Sequence, residues 1–245
     1  MIETGKSIVC TSHGHREATF VCQHLGTGGV GLGFNRGVNP DDRDELWPMA
    51  WCDACEAELV VDGEWTDRAL DFADLRLLCA EHYDLVRRRN WHQNDVAYAK
   101  LSSLATAYLD RRQTDLRERF YLGDGGDFTL DERSGDVVFS NRTSASLIAK
   151  FQIVGGLSIQ DKTWTWSWAS PSVPESVKER VRIVRAYGEG HSHRELASAA
   201  WPATDTDAWE MTAIAAYLLD ADGANRLSHD GGTLFMVVSD VRWVV

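Results

Sequence analysis

The sequence predicts an α+β protein of two domains, a small cysteine-rich one followed by a larger one in which helices pack on an antiparallel sheet. The five cysteines all lie between positions 10 and 79. From about Asn90 the pattern changes to amphipathic helices and hairpin-linked strands. Hydrophobic residues make up 44% of the chain and include ten tryptophans, which is ample for a packed core. We therefore expect domains at 1–90 and 91–245.

The cysteines and several histidines occur in four close pairs. The pairs are Cys10-x2-His13, Cys22-x-His24, Cys52-x2-Cys55 and Cys79-x2-His82. A short turn of this kind presents two ligands on one side of the backbone, and two such turns complete the tetrahedron that zinc prefers. Eight ligands are enough for two structural zinc sites. Since four protein ligands fill the coordination sphere, such sites leave no position for a substrate.

The spacing also suggests how the pairs combine. A knuckle at 51–55 followed by a helix opening after Cys79 has the form of a treble clef, which predicts one quartet, Cys52, Cys55, Cys79 and His82. The remaining quartet is Cys10, His13, Cys22 and His24. Two alternatives stay open for it: the pairs interleave, with the first sharing a zinc with the third, or this segment is a hairpin packed beside a single zinc. His15 competes as a ligand.

A glycine-rich string lies between the second and third pairs. Gly26-x-Gly28-x-x-Gly31 has the glycine spacing of a dinucleotide-binding fingerprint. A functional fingerprint follows a strand and opens a helix, whereas this one continues into further glycines and Pro40. We therefore predict a flexible loop without a nucleotide site.

Regular elements can be assigned along the second domain. The apolar spacing predicts helices at 95–119, from a capping box at Ser172 to Gly188, and at 207–219. Alternation predicts a hairpin of 128–130 and 137–139 around Arg133-Ser134-Gly135, then a strand at 147–154 that bends at Gly155-Gly156, a strand at 164–168, and a last strand made of 233–238 and 241–243. Gly123-Asp124-Gly125-Gly126 is predicted to end the first helix.

Three indoles recur at every second position in Trp164, Trp166 and Trp168. A strand places them on one face. They form either the core face of the sheet or an aromatic platform for a ligand. We favour the core, because Thr165 and Ser167 between them suit a solvated outer face.

The run Trp164-Thr165-Trp166-Ser167-Trp168-Ala169-Ser170-Pro171, preceded by Phe151-Gln152-Ile153-Val154-Gly155, resembles the W-x-W-x-W-[AG]-[NS]-P signature of an uncharacterised bacterial domain family of unknown function. The resemblance covers about 95–245. The segments 21–25 and 51–56 are similar to a small zinc-finger segment of bacterial proteins. The resemblance identifies a family without an established activity, so it brings no catalytic residues with it.

The net charge of −12 restricts the expected functions. The first ninety residues carry 16 acidic and 9 basic side chains, so nucleic-acid binding by the zinc module is disfavoured. An acidic surface suits a basic protein partner. We predict a non-enzymatic, zinc-binding protein that acts through protein interaction and resembles an immunity protein or antitoxin directed at a basic effector or toxin.

An enzyme of a different class is the alternative. His191, His193 and His229 are the best candidates for a catalytic metal site with an open position, giving a metal-dependent hydrolase. Their setting after a helix end favours a solvated loop instead. No nucleophile elbow or P-loop occurs.

The expected compartment follows from cysteine use and the chain start. Five thiols that serve as metal ligands make a disulfide framework improbable and favour a reducing cytoplasm. The first residues lack the pattern of a secretory signal, and no apolar stretch approaches the roughly 20 residues of a membrane helix.

Overall fold

The computed structural model describes residues 7–37, 45–122, 128–131, 136–139 and 146–244. Two compact units divide the chain, Met1–Gln93 and Asn94–Val245. Mixed helices and antiparallel sheets confirm the predicted α+β class. Among the described helices, none is both long enough and apolar enough to cross a membrane. The turns predicted at 123–126 and 133–135 lie outside the described residues.

The first unit alternates short strands and short helices. Its strands are β1 (Ser7–Cys10), β2 (Gly14–Val21), β3 (Asn35–Arg36), β4 (Ala50–Trp51) and β5 (Arg76–Cys79). Its helices are α1 (Gln23–Gly26), α2 (Asp53–Asp62), α3 (Asp67–Ala73) and α4 (Ala80–Asn90). Helices α2 and α3 were not predicted. Their apolar positions form no clear helical stripe, so they depend on local signals such as Thr66, whose side chain accepts a hydrogen bond from Ala69 N.

Strand β2 organises the sheet of this unit. It pairs antiparallel with β1 through Gly14–Glu17 and antiparallel with β5 through Ala18–Val21. Its last residue, Val21, pairs parallel with Ala50 of β4. The chain therefore brings the ends of β1, β2, β4 and β5 together, although they are far apart in sequence. The core beside this sheet contains Val21, Leu25, Trp51 and Tyr83.

The second unit contains helices and a larger antiparallel sheet. Its helices are α5 (Asp95–Phe120), α6 (Glu175–Gly190), α7 (Arg194–Ala197) and α8 (Asp205–Leu218). Its strands are β6 (Phe128–Asp131), β7 (Asp136–Phe139), β8 (Ser146–Ser158), β9 (Thr163–Trp166), β10 (Ala200–Pro202), β11 (Gly223–His229) and β12 (Gly232–Val244). Helix α5 confirms the predicted helix at 95–119 and ends one residue later.

The long strand β8 is central in this sheet. It pairs with β7, β9 and β12, all antiparallel. The strand order is β10-β9-β8-β12-β11, and β7, which also pairs with β6, joins this order at β8. The strand continues through Gly155 and Gly156, where a bend was predicted. Directly before them its pairing with β12 shifts register: Phe235 lies opposite Gly155 and Met236 opposite Ile153, so that Val154 is an extra residue on β8.

The three indoles are buried, as the core interpretation requires. Trp164 and Trp166 are 0% exposed in β9, and Trp168 is 2% exposed in a 3-10 turn at Ser167–Ala169. The expectation for Ser167 was wrong. Its side chain is buried and donates hydrogen bonds to the carbonyl oxygens of Ile153 and Val154, because the chain leaves the strand at this point.

The starts of helices α6 and α8 differ from the prediction. Helix α6 begins after Pro174, which has no side-chain cap, so the capping box expected at Ser172 does not form. A capping box does form at the start of α8, where Thr204 and Asp207 exchange side-chain and backbone hydrogen bonds.

Two strands and a short helix of the second unit were missed. Strand β11 is mostly exposed after its first residues and therefore lacks the apolar alternation of a recognisable strand. The last strand predicted from 233–238 and 241–243 is confirmed as β12, with an irregularity around Asp240, whose φ is 55°. Strand β10 and α7 are too short for a periodic signal.

Candidate metal centres

The eight predicted ligands gather into two clusters in the first unit. The hairpin cluster contains Cys10, His13, Cys79 and His82, and the helix-start cluster contains Cys22, His24, Cys52 and Cys55. Within each cluster the four ligand atoms lie within 4.8 Å of one another. His15 is exposed on β2 and belongs to neither cluster.

This grouping corrects the predicted quartets. The first pair combines with the fourth, and the second combines with the third, so neither the predicted quartets nor the interleaved alternative is right. The reason is the sheet: β2 pairs with β5 at Ala18–Cys79, which brings the turn after Cys10 to the start of α4. The parallel pairing of Val21 with Ala50 brings Cys22 beside Cys52 in the same way.

The hairpin cluster combines a turn with a helix start. Cys10 ends β1, and His13 lies in the turn before Gly14, which pairs with Cys10 across the hairpin. Cys79 is the N-cap of α4 with extended backbone angles, and His82 lies in the first turn of that helix. A hairpin turn that meets a helix N-terminus is the treble-clef arrangement, formed here by a different pair from the one predicted.

The helix-start cluster takes both pairs from the beginnings of helices. Cys22 is the N-cap of α1 and Cys52 is the N-cap of α2, and neither side chain caps its own helix through a hydrogen bond. His24 and Cys55 follow within the first turns. Cys22, Cys52 and Cys55 are each at most 2% exposed, so this cluster is more deeply buried than the other, where Cys10 is half-buried.

The distances fit a tetrahedral metal ion. With zinc–sulfur bonds of about 2.3 Å and zinc–nitrogen bonds of about 2.0–2.1 Å, sulfur and nitrogen donors are about 3.5 Å apart and two sulfurs are about 3.8 Å apart. In the hairpin cluster, each cysteine Sγ lies 3.3–3.6 Å from the Nδ1 atoms of His13 and His82.

The helix-start cluster meets the same test. His24 Nδ1 lies 3.6 Å from Cys52 Sγ and 3.3 Å from Cys55 Sγ, and the two sulfurs are 3.8 Å apart. The backbone N–H of Cys52 donates to Cys22 Sγ at 3.3 Å. Both clusters therefore group four donors within 4.8 Å, and the individual spacings given above match those around a tetrahedral ion.

Backbone amides orient the sulfur atoms. The amides of Ser12 and His13 lie against Cys10, and the Ser12 hydrogen bond is the main reason that the pKa of the Cys10 thiol is lowered. Burial raises the pKa of the thiols of Cys22, Cys55 and Cys79, partly offset at Cys22 and Cys79 by backbone donors. A metal ion must therefore displace protons from buried thiols, which makes metal affinity increase with pH.

Neighbouring side chains enclose both clusters. The Phe72 ring lies 5.0 Å from the His24 ring, and the Trp65 ring lies 5.1 Å from that of Trp51, the residue before Cys52. On the hairpin side, Arg16 forms an ion pair with Glu81, the residue before His82. These contacts help to hold the turns that carry the ligands in place.

The glycine-rich segment after α1 is a loop that supports the second helix of the site. Gly33 has a φ of +79°, and a Cβ atom there would lie 2.0 Å from the carboxyl carbon of Asp53, the first residue of α2. Leu32 O accepts from Asp53 N at 2.9 Å. The loop has a packing role and carries no helix that would bind a pyrophosphate.

The alternative catalytic histidines do not assemble in the described part of the chain. His193 is 2% exposed, whereas His191 and His229 are exposed. His191 Nδ1 lies 2.9 Å from Tyr187 O, and His229 Nδ1 accepts from Gly231 N at 3.1 Å. Among the described residues, the metal-binding groups are the two clusters above, and these three histidines do not form another. The solvated-loop interpretation is also wrong for His193, which is buried at the N-cap of α7 with its ring 5.5 Å from that of Tyr98.

Part of the chain matches a known protein family. Residues 99–241, more than half of the chain, match a family described as a family of unknown function, DUF6882. Comparison with curated proteins and comparison with solved structures gave no match. The matched range lies within the second unit and includes the Trp-rich strand, while both metal clusters lie outside it. The chain therefore belongs to the DUF6882 family of unknown function, as its resemblance to an uncharacterised domain family led us to expect.

Proposed function

We propose that the protein is a non-enzymatic zinc protein that acts by binding another protein, its N-terminal unit being folded around two structural zinc ions. The ligand count carries the metal part of the proposal. Each cluster offers four sulfur or nitrogen donors at tetrahedral spacing. Four protein ligands complete the coordination of zinc and leave no position for a substrate.

The donor set supports zinc over other ions. Mixed thiolate and imidazole ligands suit zinc, whereas calcium and magnesium prefer oxygen. Iron–sulfur clusters are usually held by four cysteines, and each cluster here includes histidine. When bound, the ions supply cross-links between β1, α1, α2 and α4 in a unit whose apolar core is small.

The charge of the chain supports the partner proposed. A net charge of −12 attracts a basic protein and repels nucleic acid. An immunity or antitoxin-like protein that neutralises a basic effector or toxin fits this charge. The five cysteines are free thiols, which suits a reducing compartment such as the cytoplasm.

Two measurements test the two parts of the proposal separately. Native mass spectrometry of the purified protein should show two zinc ions per chain, retained against a mild chelator and released on unfolding. A single ion, or two that exchange readily, contradicts the structural role. Affinity capture from the native lysate should recover a basic protein in stoichiometric amount, and no such capture contradicts the interaction role.

A further inference from the structure

An open groove runs between α5 and α8 in the second unit. Its volume is about 420 Å³, within the range of ligand-sized sites. Helix α5 contributes Thr106, Leu109 and Asp110, and α8 contributes Trp209, Glu210 and Ala213. The spacing of three and four residues places each set on one helix face. The groove therefore has an apolar floor between two helices, with polar groups beside it.

Two carboxylates of the groove have no cationic partner among the described residues. The lining includes Asp110 and Glu210 and no lysine, arginine or histidine. On a helix, ion pairs form with residues three or four positions away. For Asp110 these positions hold Thr106, Ala107, Gln113 and Thr114, and for Glu210 they hold Thr206, Asp207, Ala213 and Ile214. Neither carboxylate has a basic residue three or four positions away on its own helix. Arg111 and Arg112 follow Asp110 directly, but neither lines the groove, and Arg112 pairs with Asp222.

The potential beside Glu210 is negative for a second reason. Asp207 also acts on Tyr98, whose hydroxyl hydrogen-bonds to Glu210, whereas Glu195 on the same side is paired with Arg194 at 2.7 Å. Burial, followed by the charges of Glu210 and Glu195, raises the pKa of Tyr98. The charges of Glu210 and Asp207 are not neutralised by the tyrosine, which donates a hydrogen bond and carries no positive charge.

Trp209 gives the groove an aromatic wall. The guanidinium carbon of Arg226 lies 5.9 Å from its ring centroid, while the Arg226 Nη1 atom bonds to both carboxylate oxygens of Asp205 at 3.1 Å. Arg226 thus lies beside the Trp209 ring with its charge offset by Asp205, and it does not line the groove. Aromatic rings and carboxylates together favour a cationic group on an apolar stem.

We infer that this groove binds an arginine-bearing, partly apolar segment of a basic protein partner. The guanidinium group lies against Asp110, Glu210 and Trp209, and the apolar part of the segment covers Leu109 and Ala213. The inference rests on the proposed protein-binding function and identifies the surface that performs it. An amphipathic helix with basic and apolar positions one turn apart is the geometry that a groove between two helices accepts.

The probe for the test is a short helical peptide of leucine, alanine and arginine, compared with the same peptide in which citrulline replaces arginine. Citrulline keeps the shape of arginine and removes the charge. The zinc-loaded full-length protein is titrated with each peptide, and the indole N–H signal of Trp209 is followed by NMR. We expect saturable binding of the arginine peptide, and binding at least about tenfold weaker for the citrulline peptide.

Charge-neutral variants locate the binding. Asp110→Asn and Glu210→Gln should each weaken the arginine peptide, because each removes a carboxylate of the groove. Asp115→Asn is the matched control: it removes the same charge from the same helix, at a position outside the groove. Equal weakening by Asp115→Asn, equal affinity for both peptides, or no binding overturns the inference.

Affinity capture separates this inference from the proposed function. If a partner is captured and the Asp110→Asn/Glu210→Gln variant captures it equally well, the groove is overturned and the protein-binding function stands. If no partner is captured while the groove still discriminates arginine from citrulline, the binding site stands and the partner proposal is contradicted.

Discussion

Each cysteine belongs to one of the two metal clusters, and counting the metal ions bound by double variants tests which cysteines share an ion. Cys10 and Cys79 belong to one cluster, so the Cys10→Ser/Cys79→Ser variant should keep one zinc ion in native mass spectrometry. Cys52→Ser/Cys79→Ser should keep none, because those residues belong to different clusters.

The control for that experiment is His15→Ala, which should keep two ions because His15 lies outside both clusters. Retention of one ion by Cys52→Ser/Cys79→Ser would restore the predicted quartet of Cys52, Cys55, Cys79 and His82. The sequence thus predicts which residue types bind metal, and the double variants examine how the fold groups them.

Gly155 is a residue whose absent side chain matters for packing. A Cβ atom there would lie 2.3 Å from Cζ2 of Trp164 and 2.8 Å from Thr165 O. Gly155→Ala should therefore reduce the free energy of unfolding by about 1–3 kcal/mol, measured by urea denaturation. Gly190→Ala is the control, since no heavy atom lies within 4 Å of its Cβ position. Equal stability of the two variants would contradict the close contact.

At the scale of elements, helix starts carry much of the site. Cys22, Cys52 and Cys79 are all N-caps, where backbone N–H groups and the helix dipole favour a negatively charged sulfur. The sequence indicated a helix after Cys79 but not after Cys52. Helix α2 has only a weak apolar stripe, and the ligand geometry depends on its first turn.

The turn between α6 and α7 is expected to be sensitive to acid. Burial lowers the pKa of His193, with a further lowering from His191 and an opposing effect from Glu195. Since the unfolded chain binds a proton near pH 6.5 and the folded chain binds it only at lower pH, the free energy of unfolding should fall as the pH drops below about 6.5.

Urea denaturation at several pH values measures this loss. His193→Phe should reduce the acid-induced loss relative to the wild-type chain, and His229→Gln, which removes an exposed imidazole, should leave it in place. Comparison of variants with the wild type cancels any contribution from the first unit. An unchanged acid profile in His193→Phe would contradict the assignment.

At the scale of the whole molecule, the two units differ in what stabilises them. The first has short elements around two metal clusters, whereas the second has a long antiparallel sheet with its own core of residues such as Phe139, Leu147 and Met236. Structural zinc supplies on the order of 10 kcal/mol of folding free energy in small modules.

Removal of metal should therefore unfold one unit and spare the other. With a strong chelator, amide signals of 7–93 should collapse in NMR spectra while those of 94–244 stay dispersed. The zinc-reloaded sample is the control and should recover both sets. Loss of all signals together would show that the two units fold as one, contrary to the division near residue 93.

Much of the second unit was predictable because its signals are local. The 26-residue helix α5 repeats its apolar positions over seven turns, and alternation in β7 and β9 matches their buried faces. Strand β11 was not predictable, because its outer residues are exposed and polar. Ser167 was misplaced because the strand ends before it, a boundary that pairing with neighbouring strands determines.

The sequence by itself determined the α+β class, the family of the second unit and the eight side chains suited to metal. These follow from composition, periodicity and close ligand spacing, which act within a few residues. Only the tertiary structure decided that Cys10 joins Cys79 and that Cys22 joins Cys52. The same holds for the groove between α5 and α8. Ligand grouping and the groove depend on contacts between segments up to about a hundred residues apart, and pairing of β2 with β4 and β5 sets the first of these.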